Sequence, residues 1–112
     1  MRTVIETPPY LADAERLFSD EQRDAIVNTV SDDPRCGVVI PGTGGVRKLR
    51  VAASGRGKRG GARVIYLFGG DDVPVFLLAV FAKNEKSDLT QRARNDLGRI
   101  TALMLEDYRR GP

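Results

Sequence analysis

Three basic side chains in the middle of this 112-residue chain stand where they could act together on a phosphate: Lys48, Arg50 and Arg63. A strand over 46–52 puts Lys48 and Arg50 on one face, with Leu49 and Val51 on the other. A second strand over 62–68 groups Arg63 with Ile65 and Leu67, opposite Val64, Tyr66 and Phe68. Arg63 enters an otherwise apolar run, where packing favours an apolar residue. A partly buried guanidinium needs a partner, and phosphate is a good bidentate one. A further group, Lys83, Glu85 and Lys86, follows the most apolar run of the chain (73–82) and is delivered to a sheet end beside the start of a last helix, a place that favours anions. Cations converging on a phosphoryl group would stabilise charge developing on its oxygens. Arg47, Arg56, Lys58 and Arg59 would extend the grip along a nucleic-acid backbone and make it sensitive to salt.

Charge is concentrated around these residues. Between Pro34 and Gly70 there are eight Lys or Arg and no Asp or Glu, whereas residues 1–33 carry three basic and eight acidic side chains and residues 71–112 carry seven of each. The formal net charge of +3 hides this local excess. A basic patch on a small domain points to a polyanion partner. The chain has no histidine, which removes the usual general base near neutral pH and the commonest metal ligand. Its one cysteine, Cys36, cannot form an internal disulfide, which fits a reducing, cytoplasmic compartment. Triad hydrolases and zinc sites are thereby disfavoured, and neither metal nor cofactor is expected. No apolar run is long enough for a bilayer span, so no membrane partner is expected.

The elements that must position these residues follow from period and punctuation. A short strand at 3–5 precedes a helix over 8–18, with Thr7 as cap and Pro8 at the first helical position. Ser19 and Gln22 form a capping-box pattern that starts a second helix, closed by Pro34. Residues 38–40 form a strand stub, and Pro41 to Gly45 a loop. Strands follow over 46–52, 62–68 and 73–82, joined by turns short enough to make them antiparallel. Asp88 caps a last helix carrying Leu89, Ala93, Leu97, Ile100 and Met104, and Gly98 weakens it by about 1 kcal/mol against alanine. The expected architecture is one α+β domain over 1–112, in the order β-α-α-β-β-β-α, with two N-terminal helices on a small antiparallel sheet.

Gly55 to Gly60 matches a dinucleotide-binding pattern by letter, but a strand follows it where a helix should. The loop reads better as a phosphate-contacting arm. The segments GTGGVRKLRVA, GRGKRGGARVIYLF and VFLLAVFAKNEKSDLTQRA, across residues 38–95, resemble the RelE-like toxins of bacterial toxin–antitoxin pairs, and most closely the HigB-type branch. The resemblance implies a ribosome-dependent mRNA endoribonuclease held inactive by a cognate antitoxin, one with a helix-turn-helix. By position, Lys48 and Arg50 correspond to that family's basic pair on the first hairpin strand. Arg63 corresponds to the arginine of the next strand, and Lys83 and Lys86 to the basic residues after the last. Thr90 stands where archetypal RelE toxins have a tyrosine, a residue that HigB-type members often lack. Two alternatives stay open: a gyrase-inhibiting toxin of the ParE branch without nuclease activity, and an RNA-binding module without catalysis.

Overall fold

A computed structural model describes residues 2–52, 61–82 and 90–111. The order is β1 (Val4–Glu6), α1 (Pro8–Leu17), α2 (Asp20–Asp32), β2 (Val38–Val39), β3 (Val46–Val51), β4 (Ala62–Leu67), β5 (Val75–Ala82) and α3 (Gln91–Arg110). The α+β class holds. The sheet, however, is mixed. It has five strands in the order β1-β5-β4-β3-β2, and β1 pairs with β5 in parallel while every other pair is antiparallel. The parallel pair arises because α1 and α2 carry the chain from β1 over the sheet face to its far edge, and the strands then return step by step.

Alternation along the strands creates two cores. Val64, Tyr66, Val75, Leu77 and Val80 face α1 and α2, where they meet Tyr10, Ala14, Leu17, Ile26 and Val30. Ile65, Leu67, Val46 and Phe76 point the other way and pack under Leu105, with Leu97 and Met104 alongside. The sheet is therefore covered by the N-terminal helices on one face and partly by α3 on the other. A bulge separates Ile65↔Ala79 from Tyr66↔Leu77, so Leu78 is the extra residue of β5. It resets the phase of the strand: Phe76 and Phe81 are five apart yet share the α3 face.

Helix ends show where local signals yield to tertiary ones. The Ser19–Gln22 capping box is fully formed. Thr7 does not cap α1 with its side chain; its hydroxyl donates to the Leu77 carbonyl at 2.7 Å, tying the strand–helix junction to β5. Asp88, the expected cap of α3, lies outside the described residues. Thr90 is the cap, its hydroxyl accepting from the Ala93 amide at 3.1 Å. Gly98 has a packing reason: a Cβ there would lie 2.9 Å from the Gly42 carbonyl oxygen, and one turn later Thr101 donates to the Thr43 carbonyl at 2.8 Å. Those contacts seat α3 on the Pro41–Gly45 loop. At its other end Arg109 donates to both carboxylate oxygens of Asp72 and to the Gly69 carbonyl. The hydrogen bond from Arg109 holds the Asp72 carboxyl below its usual range.

Candidate nucleic-acid interface

Strand register assembles the cationic face. Arg50 and Arg63 are direct cross-strand partners, and Lys48 lies opposite Ile65, two residues along the same face. Residues so placed have Cβ atoms about 5 Å apart. Two like charges at that spacing repel and are destabilising unless an anion lies between them. The face is the one that α3 partly covers: Lys48 lies beside the buried Ile65, and Arg50 and Arg63 follow toward the end of β3 and the start of β4.

Arg50 is exposed and Arg63 half-buried. Neither forms an ion pair among the described residues. The acidic partners lie elsewhere, as in Arg2–Asp71, Arg23–Glu6 and Arg109–Asp72. Most telling is Arg63 Nη1, which is shielded from solvent and has no hydrogen-bond partner among the described residues. An unpaired buried donor costs roughly 1–3 kcal/mol, a cost that an acceptor from a bound ligand would remove. The fork geometry of a guanidinium matches two phosphoryl oxygens.

Other basic residues of the central block do structural work on the opposite face. Arg47 alternates away from Lys48, and its guanidinium donates to the carbonyls of Gly37 at 2.7 Å and Arg35 at 3.2 Å. This sets it on the face opposite Lys48, Arg50 and Arg63, where it braces the 35–37 loop. Arg35 and Arg2 both lie over the Phe68 ring, 4.9 and 5.3 Å from its centroid. Tyr66 completes the brace: its hydroxyl donates to the Pro34 carbonyl and accepts from the Gly37 amide, each at 2.8 Å, in a fully buried position. Burial pushes its ionisation well above the ordinary tyrosine value. The brace holds β2, and through β2 the edge of β3 that carries Lys48.

The remaining sequence candidates, Arg56, Lys58, Arg59, Lys83, Glu85 and Lys86, lie outside the described residues. Two residues on this side of the sheet were passed over in the sequence. Phe81 is the cross-strand partner of Arg63. The bulge at Leu78 hid its phase, since β5 reads as uniformly apolar. Arg94 falls on the helical stripe of Leu97 and Thr101, with its Nε buried; its spacing from those residues was the available signal. Among the described residues no cluster of His, Cys, Asp and Glu could hold a metal ion, and no helix is long and apolar enough to cross a membrane.

A small mixed sheet, helices on both faces and a strand-borne cluster of Lys and Arg on one of them define a compact α+β protein with a cationic sheet face. Residues 23–109 match the family described as the RelE toxin of the RelE / RelB toxin–antitoxin system, and the chain belongs to that family. Among solved structures the fold is similar to the E. coli toxin RelE, a double arginine-to-alanine mutant in the free state. The match has a TM-score of 0.57 and 20% sequence identity, and covers 77% of this chain and 87% of that one.

Proposed function

We propose that this protein is the toxin of a type II toxin–antitoxin pair and acts as a ribosome-dependent mRNA endoribonuclease of the HigB type. The observation that carries the reading is the orphaned, buried Nη1 of Arg63 directly across from Arg50, with Lys48 on the same face. The arrangement suits a metal-independent reaction. The 2′-hydroxyl of one nucleotide attacks the adjacent phosphorus. The bond to the 5′-oxygen of the next nucleotide breaks, leaving a 2′,3′-cyclic phosphate and a free 5′-hydroxyl. Arg63 with Lys48 and Arg50 would stabilise the charge gathering on the phosphoryl oxygens. Lys83, Glu85 and Lys86, which follow β5 in the chain, would take the proton from the 2′-hydroxyl and return one to the leaving oxygen. Arg56, Lys58 and Arg59 would hold messenger or ribosomal RNA backbone. An exposed cationic face of this kind must be masked in the resting cell, and the masking partner would be an antitoxin with a helix-turn-helix and an acidic or amphipathic segment. The site of action would be the cytoplasm.

The test is brief expression in bacteria followed by mapping of mRNA ends. Wild-type protein should generate new ends within translated codons, and Arg63→Ala should not. Unchanged transcripts together with equal toxicity of the Arg63→Ala protein would reject the reading. A DNA-damage response without new ends would instead indicate a gyrase-directed toxin.

A further inference from the structure

We propose that Phe81 is a base-stacking residue, placing the nucleobase beside the phosphate held by Arg63. This rests on the nuclease reading and adds to it where the substrate base lies. Arg50, Arg63 and Phe81 form one row across β3, β4 and β5, each the direct partner of the next. The ring therefore stands at cross-strand distance from the guanidinium, about 5 Å at Cβ. That is within one nucleotide of a phosphate gripped by Arg63.

The bulge strengthens the case. Strict alternation from Phe76 would turn residue 81 toward α1 and α2. The extra residue, Leu78, returns it to the cationic face. A bulge interrupts the sheet ladder, and here its result is to bring an aromatic ring beside an arginine. Phe81 packs partly against the Ile65–Phe76 cluster but stays half-buried.

The chemistry favours single-stranded RNA over other anions. Phosphate alone would need only the cations. A ring next to them recognises what a phosphate lacks, a π-face, and it does so for any base. Aromatic side chains on a sheet, flanked by Lys and Arg, bind unstacked bases in this way.

The chain contains no tryptophan, so Phe81→Trp introduces a single reporter. Its emission is read while a single-stranded 2′-O-methyl RNA oligonucleotide, which cannot be cleaved, is added, and in parallel with inorganic polyphosphate. The proposal predicts saturable quenching by the oligonucleotide and little change with polyphosphate. Emission that does not respond to RNA, whether the oligonucleotide binds elsewhere or fails to bind, overturns it. A second measurement separates stacking from packing. Phe81→Leu keeps apolar bulk and should retain the melting temperature, yet lose about 5- to 150-fold in kcat/KM on mRNA-programmed ribosomes, the range a stacked base is worth. Phe81→Trp should keep most of that activity. Wild-type cleavage rates in Phe81→Leu, with cleavage still abolished in Arg63→Ala, would remove Phe81 from the site and leave the nuclease reading standing. Absence of cleavage by the wild type would reject the nuclease reading, while the quenching experiment would still decide whether Phe81 meets a base.

Discussion

Replacing Arg63 with methionine should make the free protein more stable while abolishing its activity. In the unliganded fold Arg63 has two unfavourable features: a buried Nη1 without an acceptor and a like charge directly across the strand pair at Arg50. The first is worth about 1–3 kcal/mol and the second a few tenths or more. Methionine keeps an unbranched apolar stem of similar reach, so the packing lost is small. The half-exposure of the site and the loss of the guanidinium's remaining solvation bring the expected net gain to about 1–2 kcal/mol. For a domain of this size that corresponds to a rise in Tm of roughly 4–10 °C. Differential scanning calorimetry in a non-binding buffer measures it. Phosphate should raise the Tm of the wild type and leave the methionine variant nearly unmoved, because only the native fork binds the anion. A fall in Tm for Arg63→Met, or an equal response of both proteins to phosphate, would refute the reasoning that the guanidinium is held for a ligand.

Tyr66→Phe should cost about 2–4 kcal/mol in urea unfolding, because it leaves the Pro34 carbonyl and the Gly37 amide buried without their partner. Tyr10→Phe should be neutral or stabilising at pH 7, since the buried Tyr10 hydroxyl has no hydrogen bond to lose. Tyr10 also sets a pH dependence. Burial, then the neighbouring Glu6, pushes its pKa up from 10.0 to about 12. The folded state thus holds a proton that the unfolded chain releases, so the stabilisation is complete below pH 10 and is lost as pH rises toward 12. Tyr10→Phe should flatten that alkaline limb, as read by circular dichroism during base titration. Gly98→Ala, which adds about 1 kcal/mol of helix propensity, should nevertheless lower Tm, because its Cβ would press on the Gly42 carbonyl at 2.9 Å; an increase would show that α3 can lift from the loop at no cost.

Much of the cationic face was legible because a strand has a period of two. Lys48, Arg50 and Arg63 had to share a face once the two strands paired in the observed register. The same alternation already turned Arg47 away, and only a count of charge grouped it with its neighbours. The Ser19–Gln22 box was legible because a capping box satisfies itself within four residues. What could not be read depends on partners distant in the chain. The short strand β1 was legible, but its parallel pairing with β5, some 70 positions later, was not, and Thr7 looks like a cap until Leu77 claims its hydroxyl. The bulge in β5 was hidden because an almost uniformly apolar strand carries no phase. Gly98 read as a weakness in a helix, since nothing near it in the chain announces the loop it packs against.

The most direct test of the account is the chemistry of the cut itself. Purified protein is added to ribosomes programmed with a defined mRNA, in the presence of a chelator, and the new ends are analysed. The account predicts cleavage within the translated frame, a 2′,3′-cyclic phosphate on the upstream fragment, and no product with Arg63→Met. Intact mRNA with the wild-type protein, or undiminished cleavage by Arg63→Met, would contradict it.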